Sequence, residues 1–396
     1  MLGIAAGILV LIAVGIRLWW CMYCRSSPTS TGLLHEHGRR SRITRHDQLE
    51  MAEMGPVADA KLRAEMKQAL ARIGDEVRFG PPAVPPGLVT TRFEASVREM
   101  VIGQPKFAAL GLDHFMRVPS HMPTPSLDDG VAAVVRQVTE HGDEMMRECL
   151  HYVLHEEAGS SPLTFDNFAH PRDCDEHGVR ADRKTASGNG MRLADFVADH
   201  RAVSSSLHVA HVLAVRLYTT AAFVHLNKPM RQLSPDGSTC AEPHPFPNTV
   251  RFIAAAIKQL RTNSAPVSRQ SSAQNGPLLR GGVGEEPLVR LDRQYLYRGC
   301  KGMRPSDGFM VRGGSELGTM STTTELEVAM RYAASDNPMI LRLSVENFMQ
   351  YGAEIAFLSA FPSENEVVYP PLTYIMPTRQ RTIEGIVVID ASVTVA

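Results

Sequence analysis

Three groups of polar residues near the C-terminus have types and spacing that suit chemistry at a glycosidic bond. Arg298 ends the short apolar run Leu296-Tyr297, Ser321-Thr322-Thr323 precedes a helical pattern, and Glu364 and Glu366 are two residues apart. A guanidinium fork binds phosphate oxygens, and a carboxylate stabilises positive charge that develops on a sugar. The three groups are therefore candidates for binding an anionic substrate and for stabilising positive charge.

Each group also has an interpretation that involves no chemistry. Arg298 could form an ordinary surface ion pair. Thr322 with Glu325, or Thr324 with Glu327, could form a capping box at the start of the following helix. The two glutamates could be solvated loop carboxylates. The presence of all three groups in this order, with suitable flanking residues, favours function as a hypothesis that structural context must test.

The three groups resemble those of the arginine-specific mono-ADP-ribosyltransferases, a family marked by an Arg, a Ser-Thr-Ser-like triplet and a Glu-x-Glu motif. Gly352–Thr373 is similar to the catalytic turn of that family, and Leu217–Thr220 and Asn227–Arg231 are similar to its helical lobe. The resemblance spans roughly residues 193–393 and departs from the usual triplet at Thr323, which keeps the hydroxyl. It implies an α+β fold, a mixed split β-sandwich ADP-ribosyltransferase catalytic core with a preceding helical lobe.

The resemblance also implies which residues bind the co-substrate, NAD, for which NADP is a possible replacement. Arg298 is expected to bind its phosphate oxygens, and Gly299 to hold the nicotinamide amide through the backbone. Glu366 is expected to stabilise the developing charge on the ribose, and Ser321 to orient that carboxylate. Thr322-Thr323 is expected to complete the strand end around the NAD site.

Glu364 is the residue that bears on the acceptor. A guanidinium must lose a proton when it attacks, and Glu364, on the same face as Glu366 if the segment is extended, can hold and deprotonate it. In the family, Glu at this position accompanies arginine as the target. The predicted catalytic residues are therefore Arg298, Ser321, Glu364 and Glu366.

These residues predict an enzyme that transfers ADP-ribose from NAD to an accessible arginine of a protein and releases nicotinamide. One alternative is an NAD glycohydrolase that uses the same site with water as acceptor. Another is a membrane-tethered, catalytically inactive module that binds NAD or a partner. Among 396 residues, 41 Lys and Arg balance 42 Asp and Glu, so the net charge does not predict nucleic acid as a partner.

Periodicity predicts a helical region followed by a sheet. The helical patterns lie at about 47–77, 93–101, 127–155 and 193–224, and the first carries Leu62, Met66, Leu70 and Ile73 on one stripe. The short β-rich runs are 295–297, 339–343, 366–369 and 386–389. We expect a mainly helical region of unknown role at 47–190 and a catalytic domain at 191–396, composed of a helical lobe (191–262), a mobile insertion (263–286) and a sheet core (289–396).

The N-terminal segment 1–24 is apolar enough to cross a membrane as one helix. Leu2–Ile16 carries no charge, and aromatic residues near the end of the segment resemble an interfacial belt. A basic linker at 25–46 follows, so the positive-inside rule predicts a single-pass anchor with the catalytic domain in the cytosol. A signal peptide, with secretion or lumenal placement, is the alternative.

Other patterns lack residues that their chemistry requires. The glycines of Gly313–Gly318 lack the Lys and hydroxyl of a P-loop, and Asp173–Lys184 lacks the final Glu of a calcium loop. His151 and His155 could share a helix face, but no further ligands complete a site, so no metal is predicted. The six cysteines are scattered, which favours a reducing compartment.

Overall fold

The computed structural model describes residues 45–73, 111–154, 191–263 and 294–395. The predicted membrane anchor at 1–24, the linker up to residue 44, the helix at 93–101 and the insertion from residue 264 lie outside these ranges. Within them, no single helix is long and apolar enough to cross a membrane, although the bent pair Val209–Thr219 and Phe223–Arg231 meets the requirement by length and composition.

The chain divides into two compact units, Met1–Ala58 and Asp59–Ala396. The first is described only at residues 45–58, which are helical. The helices of the described residues are α1 (Arg45–Ile73), α2 (Leu112–Phe115), α3 (Gly130–His141), α4 (Glu144–Leu154), α5 (Leu193–Ala198), α6 (His200–Ser204), α7 (Val209–Thr219), α8 (Phe223–Asn227), α9 (Pro247–Asn263), α10 (Asp307–Arg312) and α11 (Leu326–Ala333). Short 3-10 helices lie at Pro229–Arg231, Phe348–Gln350 and Pro362–Glu364.

Two of the helices that periodicity predicts are interrupted by capping residues. The helix predicted at 127–155 breaks at Gly142, which is extended, and Asp143 caps α4 by accepting a hydrogen bond from Met146 N at 2.9 Å. The helix predicted at 193–224 is divided, because Asp199 ends α5 and caps α6 by accepting from Arg201 N at 2.8 Å. At both sites a short polar side chain thus caps the following helix, which favours a break over a continuous helix.

Helix α7 is the centre of the helical part of the fold. All of its residues from Ala210 to Thr219 are buried, including Arg216, which donates to the Leu358 carbonyl at 3.0 Å. Helices α3, α4, α5 and α9 pack around it. Helices from both sides of residue 190 therefore share one hydrophobic core, which the domain boundary predicted there does not reveal.

Two buried histidines make the stability of this core dependent on pH. Burial lowers the pKa of His211 and of His244 from 6.5 to about 4, with the nearby His208 adding to the effect on His211. The unfolded chain takes up these protons near pH 6.5, but the folded chain resists them until about pH 4. The free energy of unfolding should therefore fall as the pH drops from 6.5 towards 4, by up to roughly 1.4 kcal/mol per pH unit and histidine.

Urea unfolding between pH 7 and pH 4.5 measures this dependence. We expect His244→Gln to flatten the slope, whereas His200→Gln, at an exposed histidine of α6, should leave it intact. Equal slopes in the wild type and both variants would mean that His244 does not contribute to the acid sensitivity.

The strands of the described residues form one sheet, in which neighbouring strands are hydrogen-bonded in the order β2-β7-β8-β4-β1-β3-β6-β5. They are β1 (Gln294–Lys301), β2 (Gly314–Glu316), β3 (Met320–Thr323), β4 (Pro338–Val345), β5 (Ala353–Glu354), β6 (Glu366–Tyr369), β7 (Thr373–Ile383) and β8 (Ile386–Thr394). All pairs are antiparallel except β4 with β8. The chain is thus a mixture of helices and a sheet, as predicted.

The predicted split of the sheet is only partial. Strands β1 and β3 pair at a single position, Tyr297 with Thr323, whereas β1 and β4 pair along their whole length. The five strands on the β1 side and the three on the β3 side are therefore hydrogen-bonded to each other at one point rather than separate. Arg298 and Ser321 lie on the two strands that meet there, and Glu366 begins the strand next to β3.

Helix α1 covers one face of the sheet with its C-terminal half. Leu62, Met66 and Ile73 are buried, as the predicted stripe requires, and they pack in one core with Tyr297 of β1 and with α11. Asp59 forms ion pairs with Arg379 and Arg381 of β7. The end of α1 therefore belongs to the same packing unit as the strands.

Candidate active site

Strand β1 delivers Arg298 and Gly299 to the joint in the sheet. Helix α11 crosses the strand so closely that a Cβ on Gly299 would contact the Ala329 carbonyl and lie 2.8 Å from both Ala333 N and Tyr332 Cβ. A side chain at this position would displace the helix backbone. The close packing of α11 therefore requires a glycine at position 299. This requirement is separate from the backbone contact to nicotinamide that the family resemblance implies.

Arg298 belongs to a buried cluster of three charged side chains. Its Nη1 donates to the Ser321 carbonyl at 2.9 Å, and its Nη2 lies 3.4 Å from Oε2 of Glu316. Arg231, from the helical part of the chain, donates through Nε to Oε1 of the same Glu316 at 2.9 Å, and Gly318 N donates to that oxygen at 3.1 Å. Glu316 therefore holds two arginines that come from different parts of the fold.

The charges of this cluster stabilise one another. Burial by itself would raise the pKa of Glu316, but Arg231 and Arg298 outweigh it and hold that pKa below its ordinary value. Burial would likewise lower the pKa of Arg298, but Glu316 reverses the effect and raises it. Both groups are therefore charged at neutral pH, with a surplus of positive charge where an anionic substrate would bind.

Strand β3 aligns the three hydroxyls of the triplet. Ser321 Oγ donates to Oε1 of Glu366, Thr322 Oγ1 donates to the Val367 carbonyl at 2.6 Å, and Thr323 Oγ1 donates to the Glu364 carbonyl at 2.6 Å. The capping-box interpretation is wrong, because Thr322 lies within β3 and α11 has no side-chain cap. The triplet instead ties β3 to the chain segment that carries both glutamates.

Glu366 opens strand β6 and is buried. Ser321 binds one of its carboxylate oxygens, and Ser359 Oγ lies 3.3 Å from the other. The Ser321 contact is the one that the sequence predicts. The carboxylate is thus fixed in direction by hydroxyls on both sides.

Glu364 lines the same cavity as Glu366, but it is not placed there by the alternation of side chains along a strand. The segment is not extended there: Glu364 ends the 3-10 helix Pro362–Glu364, and Asn365 is left-handed with φ 47°. Asparagine tolerates this conformation better than most residues, and its side chain donates to Glu325 Oε1 at 3.2 Å. The condition under which Glu364 and Glu366 would share a strand face is therefore not met, although both glutamates line one cavity.

The helical part of the fold closes the opposite wall. Asn227 of α8 donates to the Thr319 carbonyl at 3.0 Å and accepts from Thr319 N at 2.9 Å, as a strand partner would. The hydroxyl of Tyr218 donates to the same carbonyl at 3.2 Å. Burial, with a smaller contribution from Glu366, raises the pKa of Tyr218, so this hydroxyl stays protonated. These side chains hold the loop between β2 and β3 against α7 and α8.

These elements enclose one cleft, whose empty space of about 760 Å³ includes part of the solvent at its mouth. All of the predicted site residues line it, namely Arg298, Gly299, Ser321, Thr322, Thr323, Glu364 and Glu366. Tyr332 of α11 also lines the cleft. Arginines thus occupy one part of a single cavity and carboxylates another.

Several other residues line the cleft. Tyr218, Asn227 and Arg231 lie in the segments that are similar to the family's helical lobe, although the sequence did not assign them a role in the site, and Phe361 has no signal in the sequence. The sequence also did not predict a role for Glu316, which forms ion pairs with both arginines. Its bond to Arg231 spans 85 residues, so only the fold reveals it.

The remaining patterns show no second catalytic centre among the described residues. No group of three or more His, Cys, Asp or Glu side chains in those ranges could hold a metal ion. Cys149, Cys240 and Cys300 are buried and free of disulfide bonds. Gly313 adopts φ 69° against the Ile375 carbonyl, which gives the glycine pair at this turn a structural role.

No family model matches the sequence, and no curated protein matches it. Solved structures similar to the chain include the ADP-ribosyltransferase HopU1 of Pseudomonas syringae, with 16% identity over 63% of this chain and 97% of that one and a TM-score of 0.37. Exoenzyme S of Pseudomonas aeruginosa, solved with 14-3-3 protein and carba-NAD, has 18% identity over 50% and 86%, with a TM-score of 0.31. The C3 exoenzyme of Clostridium limosum has 16% identity over 51% and 95%, with a TM-score of 0.33. Likeness of this size does not by itself establish a family or an activity.

Proposed function

We propose that this chain is a mono-ADP-ribosyltransferase that transfers ADP-ribose from NAD to an arginine of a protein. The observation that carries the proposal is the pairing of Glu366 with Ser321 in the cleft that Arg298 also lines. A fixed, buried carboxylate near an anchored guanidinium suits a substrate with a pyrophosphate on one side of a reactive ribose.

Arg298 and Arg231 supply the positive charge that the pyrophosphate of NAD requires. Both line the cleft, and Glu316 holds them at its base. Because Glu316 neutralises one of the two charges, a net positive charge is left for the phosphates. The arginines are already ordered, so binding does not have to pay the full entropy of fixing two long side chains.

Glu366 acts on the ribose. As the bond between ribose C1′ and the nicotinamide nitrogen breaks, its electron pair leaves with neutral nicotinamide, and positive charge builds up on the ribose. The carboxylate of Glu366 stabilises that charge without reorganising, because Ser321 and Ser359 fix its direction beforehand. Because Glu366 is buried, water screens this interaction less than it would at the surface.

Glu364 acts on the acceptor. A guanidinium is protonated at physiological pH, so its attacking nitrogen must release a proton as its electron pair forms the new bond to C1′. Glu364 lines the cleft beside Glu366 and is available to hold the guanidinium and take that proton. Nothing in this step requires a metal ion or a redox partner.

Replacing Glu364 with glutamine should separate transfer from cleavage. With the purified full chain, NAD and a simple guanidine compound, we expect transfer to fall by about a hundredfold, because the proton acceptor is lost. Release of nicotinamide to water should stay within about threefold of the wild type, since general-base loss affects only the acceptor step. Glu140→Gln, at an exposed glutamate of α3, is the matched control.

The outcomes of this experiment distinguish a transferase from a glycohydrolase and from a protein that does not turn over NAD. Unchanged transfer in Glu364→Gln would contradict the role of Glu364, and nicotinamide release with no guanidine product in the wild type would establish a glycohydrolase instead. A folded wild type that turns over no NAD would overturn the proposed enzyme.

A further inference from the structure

The side chain of Tyr332 makes a contact that the proposed mechanism does not yet use. Its hydroxyl donates to Oε1 of Glu364 at 2.5 Å, across 32 residues of sequence. Tyr332 lies on α11 and lines the cleft. The acceptor-side carboxylate is thus bound by a tyrosine, whereas the ribose-side carboxylate, Glu366, is bound by serines.

Both partners of this hydrogen bond have fixed backbones. Helix α11 is seated against β1 at Gly299, where its backbone leaves no room for a Cβ. The carbonyl of Glu364 accepts from Thr323 Oγ1 at 2.6 Å, and the 3-10 helix ends immediately after it. What remains variable is the direction of the Glu364 side chain, which has several rotatable bonds.

We propose that Tyr332 is a positioning residue that directs Glu364 towards the acceptor and so favours a guanidinium over water. This inference rests on the proposed function. A guanidinium fork binds a carboxylate well only when both oxygens face it in one plane. The bond from Tyr332 to one carboxylate oxygen restrains the direction of the group, and a carboxylate can accept from a fork and from a hydroxyl together. Water has no such geometric requirement, so its attack does not depend on this orientation.

Tyr332→Phe tests the inference because it removes only the hydroxyl. In the purified full chain, with NAD and a simple guanidine compound, we expect kcat/KM for the guanidine to fall by about tenfold, mainly through a higher KM. The KM for NAD and the rate of nicotinamide release without guanidine should remain as in the wild type. Tyr351→Phe is the matched control, because that hydroxyl donates to the carboxylate of Glu354 at 2.7 Å and lies outside the cleft lining.

The results separate this inference from the proposed function. Equal loss of transfer and of NAD hydrolysis in Tyr332→Phe would show a general structural role and overturn the inference. So would an unchanged KM for the guanidine. If the wild type itself transfers nothing to guanidine, the proposed function fails first, and the role of Tyr332 in acceptor choice fails with it.

Discussion

Glu366→Gln should reduce the release of nicotinamide from NAD by at least about a hundredfold. Glutamine keeps the size of the side chain and can still accept a hydrogen bond from Ser321. It lacks the negative charge that stabilises the ribose as the glycosidic bond breaks. The loss should therefore appear in kcat, with the affinity for NAD nearly unchanged, because the charge acts in the transition state rather than in the bound ground state.

The measurement compares nicotinamide release at saturating NAD in the wild type, Glu366→Gln and Glu354→Gln. Glu354 is an exposed glutamate of β5 and should be replaceable without effect. A Glu366→Gln protein with near-normal kcat would remove the carboxylate from the chemistry. A loss confined to NAD affinity would assign Glu366 to binding alone.

Glu316→Ala should have the largest effect on the stability of the fold. It leaves Arg231 and Arg298 close together in a buried site without their shared counter-charge. Removing one partner of a buried ion pair costs about 3–5 kcal/mol. The free energy of unfolding in urea should fall by about that amount, and NAD binding should weaken because the two arginines no longer share a fixed position.

The control for this variant is Glu327→Ala, which also removes a glutamate bound to an arginine. Glu327 pairs with Arg331 one turn later on the exposed side of α11, at 2.8 Å. Exposed pairs of this kind contribute about 0.3–0.5 kcal/mol. The loss in the free energy of unfolding should therefore be severalfold larger in Glu316→Ala than in Glu327→Ala. Similar losses in both would mean that Glu316 does not organise the arginines.

Residue types and periodicity predict the central strands but not all of the sheet. Strands β1, β4, β6 and β8 contain the apolar runs expected of buried strands. Strand β7 is missed, because its residues 376–382 are mostly exposed and it contains Pro377. The structure accommodates that proline at a register shift between Pro377 and Arg379, where a ladder donor is not needed.

The residues of the candidate site likewise include some that the sequence predicts and some that it does not. Arg298, the triplet and the two glutamates are recognisable because each motif is local in sequence. Glu316, Arg231 and Tyr332 act through partners that are 18 to 85 residues away, and no local pattern marks such pairs. The role of α1 is also non-local: its stripe predicts a buried face but does not say that Tyr297 and α11 lie beneath it. Folded geometry is therefore needed to connect the motifs to the residues that hold them.

The most direct test of the proposed enzyme measures both products of one reaction. The purified full chain is incubated with NAD and a simple guanidine compound, and nicotinamide and the guanidine carrying one ADP-ribose are quantified together. From the wild type we expect modified guanidine to account for most of the nicotinamide released, with the remainder from hydrolysis, and we expect neither product above background from Glu366→Gln. Nicotinamide without modified guanidine, or no nicotinamide from a folded wild type that binds NAD, would contradict ADP-ribosyl transfer to arginine.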